Sequence, residues 1–349
     1  MNINLDELRK RKKYILCKKH PSLDIFIWNY NKECQYERKW DEYTIQTRGL
    51  ITDTEGNIIA RPFKKFFNLN ETEETKIENL PLEIPLINVK IDGCLGILYF
   101  DEEKPCIATR GSFESEQSVW ATGYIRKRKF KRQDFKKNYT YLFEIVCSES
   151  KIIVDYQGKE TLYLLAVINN KTGKEIDYIK EAKRLGFEYP QKIDKNLKET
   201  LDYIKNLKGN EDEGVVFKFS NGLRLKIKCE DYLRLHKVIA NFSTLSIYEC
   251  LKNRQNLEGL LKDLPDEFYG WVKNREDEYK TKFKEIETHC LSKTEEIKNK
   301  FGSRKEQAEY ISKNNLKFKS IIFAMLNDKD YSEGIWKIIR PKFELPSVK

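Results

Sequence analysis

Apolar and polar positions alternate with a period near two over the first two thirds of the chain, and with a period of three to four over the last third. Leu23-Asp24-Ile25-Phe26-Ile27-Trp28-Asn29-Tyr30 predicts a strand. Thr47-Arg48-Gly49-Leu50-Ile51 and Ile58-Ile59-Ala60-Arg61-Pro62 flank the turn Thr54-Glu55-Gly56-Asn57, which predicts a hairpin with a charged residue at each end. Residues 84–89 and 95–100 predict two strands around a tight turn at Asp92-Gly93. Residues 107–112 predict a strand ending in Arg110, and further strands are expected over 139–146, 151–156, 161–169 and 213–219. The turn Ser220-Asn221-Gly222 leads to another, Arg224-Leu225-Lys226-Ile227-Lys228. Residues 71–80 read as a polar loop or short helix. Residues 115–129 carry a helical pattern with Val119, Trp120 and Gly123 on one face, and 171–206 is largely helical.

From Thr244 onward strand alternation stops. Phe268, Trp271, Val272, Arg275, Tyr279, Phe283 and Ile286 recur every three to four residues, and Leu264-Pro265-Asp266-Glu267 supplies a helix start. Further helices are expected near 293–301, 304–313, 316–327 and 331–340, the last ending at Pro341. The fold class is therefore α+β: an antiparallel-sheet domain over residues 1–240, followed by an all-α domain over 241–349.

The chain has 349 residues, 40% of them hydrophobic, with 19 Tyr, 19 Phe and 5 Trp, enough for two packed cores. A net charge of +10 points either to an anionic partner, nucleic acid first, or to a lysine-rich surface that keeps the protein in solution. The eight cysteines form no Cys-x-x-Cys pair, which argues for free thiols in a reducing compartment and against a zinc site. Residues 1–13 lack an apolar signal core and no run is long enough to span a membrane, so a cytoplasmic protein is expected.

Candidate chemistry sits at strand ends. Lys90 lies between two apolar strands, where burial disfavours an ammonium and a neutral lysine is a nucleophile. Lys90-Ile91-Asp92-Gly93 alone is a weak signal. Glu144 stands inside Tyr141-Leu142-Phe143-Glu144-Ile145-Val146, an expensive position unless the acid is paired or binds a ligand. Glu213 and Gly214 open a strand. Lys226 and Lys228, two apart, share a strand face and repel each other unless an anion lies between them. Lys64-Lys65-Phe66-Phe67 joins cations to aromatics, as phosphate-and-base contacts do, although a surface turn with a buried Phe gives the same pattern. The densest basic run, Ile125-Arg126-Lys127-Arg128-Lys129-Phe130-Lys131-Arg132, reads equally as a solvated helix face or an RNA-phosphate track.

The order Lys-x-Asp-Gly, Phe-Glu, Glu-Gly-Val-Val, Leu-Lys-Ile-Lys resembles the covalent nucleotidyltransferase superfamily of ATP-dependent ligases and mRNA capping enzymes. Within it the chain is similar to the phage-type RNA ligase 1 family. That resemblance is carried by Arg48-Gly49, Arg61-Pro62 before Lys65-Phe66-Phe67-Asn68-Leu69-Asn70-Glu71, Arg110-Gly111-Ser112-Phe113, and Lys226-Ile227-Lys228 running on to Tyr232 and His236. Residues 323–326 and 335–341 resemble bacterial relatives. Two positions depart from the pattern: Cys94 stands where Ser is usual, and Arg110 where the phage enzyme has lysine.

The resemblance implies ATP as substrate and Mg²⁺ or Mn²⁺ as cofactor. Lys90 would attack the α-phosphate to give lysyl-AMP, AMP would pass to an RNA 5′-phosphate, and a 3′-hydroxyl would displace it. It places Lys90, Lys226 and Lys228 in catalysis, the last two with the cation lowering the Lys90 pKa, and Glu213 on the metal. Arg48, Lys65, Phe67, Asp92, Gly93, Arg110, Glu144, Val215, Lys226 and Lys228 form the nucleotide-binding set, with Glu144 on the ribose, Arg48 and Lys65 on phosphates, and Asp92 supporting the turn. The expected partner is RNA with a 5′-phosphate and a 3′-hydroxyl, cleaved tRNA being one candidate. The chain shows no Gly-x-x-x-x-Gly-Lys-Ser/Thr loop, so an end-healing enzyme would be separate. The competing readings are a DNA ligase or capping enzyme, which usually append a β-rich barrel, and a catalytically silent RNA-binding protein.

Overall fold

The structure, a computed structural model, describes residues 2–148, 153–154, 156–241, 243–257, 269–314 and 316–344, with backbone only for 237–241. It divides into two compact units, Met1–Leu233 and Arg234–Lys349, the division falling within the helix Glu230–Asn241.

The first unit holds three sheets. One has the order β1 (Ile15–Lys19), β2 (Ile25–Tyr30), β3 (Arg48–Asp53), β4 (Ile58–Ala60), all antiparallel. The second contains β7 (Cys94–Asp101), β8 (Lys104–Ala108), β9 (Tyr139–Val146), β10 (Thr161–Asn169) and β11 (Glu175–Ile176), in the order β11-β10-β9-β7-β8. The third has the order β5-β13-β12-β6, from β5 (Phe67–Asn68), β6 (Leu86–Val89), β12 (Gly214–Lys218) and β13 (Arg224–Lys228); only the two-residue β5 runs parallel to its neighbour.

The second sheet is covered on both faces. On one, Leu142, Ala166, Leu95 and Ile97 pack against Ile27, Ile51 and Ala60 of the first sheet. On the other, Phe143, Ile145, Leu162 and Leu164 pack against two helices, α1 (Glu116–Lys127) and α2 (Tyr178–Leu185), through Ala121, Ile125, Ala182 and Leu185. The period-two alternation of β9 thus feeds two cores, which explains its near-continuous burial.

The buried face of α1 is Ser118, Ala121 and Ile125, while Val119 on the other face is 62% exposed. Three local expectations need correction. The strand β8 ends at Ala108; Thr109 and Ser112 bridge, and Arg110 sits on the turn between them. Of the strand expected over 151–156, only 153, 154 and 156 are described, and none is in a strand. The helix expected near 293–301 is the last part of a 32-residue helix, Tyr269–Lys300, since nothing between Gly270 and Gly302 breaks it.

The described part of the second unit is helical: Thr244–Lys252, Tyr269–Lys300, Arg304–Lys313, Lys319–Leu326 and Ser332–Ile338. Its core joins Cys290, Ile297, Ile311, Ile322, Met325 and Ile335. Trp271, Val272 and Tyr279 are buried as their spacing predicts, whereas Phe268 and the helix start at 264–267 lie outside the described residues.

Gly214 starts β12 with φ +146°, and a Cβ there would lie 2.1 Å from the Ile227 carbonyl oxygen of β13. The clash is with backbone, which cannot swing aside. Gly214→Ala should lower the stability of the first unit by about 2 kcal/mol, read as a shift of its urea midpoint. An unchanged midpoint would contradict the close approach.

Candidate active site

Pairing of β6 with β12 brings Val89 opposite Val215, and the Lys90 N–H donates to the Gly214 carbonyl at 2.8 Å. Lys90, one residue past its strand, therefore lies beside Glu213, one residue before β12. Lys228 stands opposite Gly214, which has no side chain to block it. The outcome is a bridge: Lys90 Nζ contacts Glu213 Oε2, and Lys228 Nζ lies 2.7 Å from Glu213 Oε1. The Glu213 side chain is only 3% exposed.

Burial and charge pull against each other here. Burial alone pushes the Glu213 carboxyl up, but Lys90 and Lys228 outweigh it and hold the pKa below the usual range. Burial pushes Lys90 down, but Glu213 and Glu144 outweigh it and hold Lys90 above the ordinary lysine value. With neither nucleotide nor cation bound, the neighbouring carboxylates therefore favour the charged form of Lys90; the expected lowering by Lys226 and Lys228 concerns the site with a divalent cation in place. The lysine that loses its proton is Lys226. Burial, then Lys65, Lys90, Lys228 and Arg48, lower it to about 7, and it has no carboxylate partner among the described residues. Glu144 moves the other way, up to about 7, chiefly by burial, with Lys90 opposing and Glu213 adding repulsion.

Asp92 is 2% exposed. Its Oδ2 accepts the N–H groups of Ile153 and Val154 at 3.0 and 3.1 Å, and its Oδ1 accepts the Tyr232 hydroxyl at 3.0 Å. Its own N–H donates to the Tyr156 hydroxyl at 2.7 Å. Asp92 is thus a clamp for the Lys90 turn. Gly93 is required by space: a Cβ would lie 2.4 Å from the Ile145 carbonyl oxygen, and no left-handed φ is involved.

A second group of cations surrounds aromatic rings. The Arg48 guanidinium and Lys226 Nζ lie 5.8 and 5.7 Å from the centre of the Phe66 ring. Lys65 Nζ lies 5.5 Å from Trp40 and 5.0 Å from Phe67, whose rings meet edge to face. Arg110 is exposed, its guanidinium 5.2 Å from the Tyr30 ring. Val215 is the residue the lysine face does not gain. It pairs with Ile227 and Val89 and is fully buried on the opposite face, because the strand period puts Val216, opposite Lys226, on the lysine side. Cys94 is half-buried beside Ile145, and burial pushes its thiol up to about 11, the signature of packing.

Trp40 and Tyr156 were not anticipated as site residues, and of the aromatic pair Phe66-Phe67 only Phe67 was expected. The two-residue β5, Phe67–Asn68, gives no periodicity to decide between them, and Tyr156 lies in a segment that reads as a strand.

Among the described residues no group of three His, Cys, Asp or Glu side chains is gathered as a metal site. The carboxylates still fit a hard cation that keeps most of its water. Asp92 is fully hydrogen-bonded and Glu213 is bridged by lysines, whereas the Glu144 carboxylate makes no hydrogen bond to a described residue and feels the repulsion of Glu213.

A sequence profile of the RNA ligase family matches residues 46–233, more than half of the chain. The chain belongs to the RNA ligase family. That span contains Arg48, Lys65, Lys90, Glu144, Glu213, Lys226 and Lys228. A candidate RNA ligase of Thermovibrio ammonificans is 26% identical over 283 residues, covering 75% of this chain and 71% of that one. An RNA ligase of Rhodothermus phage RM378 is 26% identical over 238 residues, and the chain spans about half of its length, 53%. Among solved structures, an archaeal ATP-dependent RNA ligase is 14% identical with a TM-score of 0.49, over 79% of this chain and 76% of that one.

The unpaired Lys226 makes the ligand-free fold pay for its site. Folded, Lys226 releases its proton near 7; unfolded, near the ordinary 10.5. Between those values the unfolded chain binds the extra proton, so this site's contribution to stability rises with pH. Lys226→Met should therefore raise the melting temperature of the nucleotide-free protein at pH 7 by a few degrees, and the advantage should shrink toward pH 10. A variant less stable than the parent at pH 7 would contradict the assignment.

Proposed function

We propose that this RNA ligase family member is ATP-dependent and joins RNA 5′-phosphate and 3′-hydroxyl ends through lysyl-AMP at Lys90 and an RNA-adenylate, in RNA repair. The observation that supports this most is the buried Lys90–Glu213–Lys228 bridge with an uncompensated Lys226 on the same sheet face. A site with excess positive charge and a nucleophilic amine at its floor is suited to a polyphosphate.

In the first step the Lys90 nitrogen displaces pyrophosphate from the α-phosphorus, so the ammonium must first shed its proton. Glu213, in contact with it, is the acceptor the geometry offers. Lys226 and Lys228 meet the charge that builds on the phosphates, and Lys226 is returned to its charged form by them. Arg48 and Lys65 hold the distal phosphates or the RNA 5′-phosphate, with Phe66 and Phe67 packing between the cations. Glu144 takes the ribose hydroxyls, and its carboxylate, without a hydrogen bond to a described residue, is a second candidate, beside Glu213, for the divalent cation. That cation, Mg²⁺ or Mn²⁺, would add positive charge that favours neutral Lys90 and stabilises the leaving pyrophosphate. Asp92 and Gly93 keep the turn in place.

The substrate class we propose is RNA with broken ends, cleaved tRNA among them, with end-healing by another protein. All eight cysteines are free, which supports a reducing, cytoplasmic setting, and no described helix is long and apolar enough to cross a membrane.

Incubation with α-labelled ATP followed by a denaturing gel tests the first step. ATP should label the protein and GTP should not. Lys90→Ala should abolish the band, and Lys90→Arg equally, because a guanidinium stays protonated. Label retained on either variant would remove Lys90 as the nucleophile.

The helical unit is the proposed selector of RNA. A chain ending near residue 241 should still take up AMP and join generic 5′-phosphorylated RNA, yet lose preference for a nicked anticodon loop over an unstructured strand. Unchanged preference in that truncation would count against selection by the helices.

A further inference from the structure

The basic run after α1 divides by residue type. Its arginines are engaged by the protein. Arg126 donates to the Pro105 carbonyl at 3.1 Å, and Arg132 to that of Glu102 at 3.2 Å. Arg128 donates to the Leu185 and Gly186 carbonyls at 3.1 and 2.8 Å and lies over Phe187. Lys127, Lys129 and Lys131 are exposed. Beside them opens a cavity of about 320 Å³ lined by Val119, Trp120, Gly123, Tyr124, Lys127 and Glu160. Trp120 and Tyr124, one helical turn apart, stack at 5.2 Å with their planes 24° apart. Gly123 leaves open space, with nothing within 4 Å of where a Cβ would stand. The helix buries Ser118, Ala121 and Ile125, while Trp120 and Tyr124 are only partly buried at the edge of that core and Val119 is exposed.

We propose that this cavity holds one base of the single-stranded RNA substrate against the Trp120–Tyr124 pair, with the adjoining phosphates on Lys127, Lys129 and Lys131. The inference rests on the RNA ligation reading above. A π surface joined to exposed lysines is the combination that single-stranded nucleic acid recognises, and it tolerates any base. The Glu160 carboxylate at the rim can accept an N–H from a base edge, which a purely phosphate-binding surface would not need. The place in the fold is consistent. The Tyr124 hydroxyl lies 3.2 Å from Thr161 Oγ1, Thr161 pairs with Val146, and Val146 is two residues along β9 from Glu144. The cavity is therefore at the Glu144 end of the second sheet but on its helix-covered face. RNA leaving the active site would reach it by passing round the end of that sheet. A partly exposed aromatic pair could also dock a protein, but the three exposed lysines favour a polyanion.

The test measures binding of a fluorescent, 5′-phosphorylated single-stranded RNA to the full chain, alongside AMP uptake from labelled ATP by the same proteins. Trp120→Ala should weaken RNA binding at least about fivefold. Gly123→Leu should do the same by filling the cavity, while helix propensity keeps it folded. Lys127→Ala should lower the slope of log affinity against log salt by about 0.7. AMP uptake should be unchanged in all three. RNA affinity unaltered in both Trp120→Ala and Gly123→Leu would overturn the proposal and leave a protein as the partner of this face. Loss of AMP uptake together with RNA binding would overturn it in favour of a purely structural role. A parent protein that takes up AMP but binds no RNA, or takes up none, would fail the functional reading instead.

Discussion

The candidate active site depends on one buried carboxylate. Glu213 is almost wholly excluded from water and neutralises two lysines that reach it from different strands. Without it the third sheet would bury Lys90, Lys226 and Lys228 together, and their repulsion would oppose the pairing of β6, β12 and β13. Removing a single partner of such a buried pair leaves an uncompensated charge, which is far costlier than the pair is stabilising. Glu213 therefore acts on the fold and on the chemistry at once. It favours the charged form of Lys90 in the free protein, so on the proposed function the amine would become nucleophilic once a ligand or cation redistributes the charge.

The backbone around Glu213 is built to permit that contact. Gly214 lets β12 and β13 close, Gly93 lets the Lys90 turn lie against β9, and Asp92 anchors that turn to Tyr156, Tyr232 and the 153–154 backbone. Asp92 is itself pushed above the usual carboxylate range, first by burial and then by Glu213. Four hydrogen bonds to its side chain and amide are needed to hold an acid in such a place. The charges are thus fixed on strand ends whose positions are set by backbone packing, which is the precision that positioning a phosphate requires.

Much of this was legible in the sequence. The period-two pattern located β2, β3, β7, β9, β10, β12 and β13, because each has one or both faces against a core and alternation records that directly. The charged positions Lys90, Glu144, Glu213, Lys226 and Lys228 stood out for a related reason: a charge within an apolar strand is costly, so its presence needs a cause. What stayed hidden was the partnership among them. Nothing in one dimension says that Glu213 is shared by Lys90 and Lys228 while Lys226 is left alone, since that depends on the register of three strands. The same limit applies to Val215, where a shift of one residue changes the face, and to Phe66, which lies just before a strand too short to show a period. The reading of Val119, Trp120 and Gly123 as one face was sound as geometry, but periodicity cannot say which side of a helix meets the core when the other side carries small residues.

The unliganded site is a poor arrangement by itself. Lys226 gives up its proton near 7 and Glu144 keeps one to about 7, so each is held away from its preferred charge state at neutral pH. Their environments push them in opposite directions, Lys226 by burial and neighbouring cations and Glu144 by burial and other carboxylates. A bound polyphosphate would relieve the first, and a divalent cation the second. The two ligands a nucleotidyl transfer requires are thus the two that would remove the electrostatic cost of the free fold, so binding energy and site strain are complementary. That complementarity explains why the chain keeps three lysines and two acids in one pocket, an arrangement that stability alone would select against.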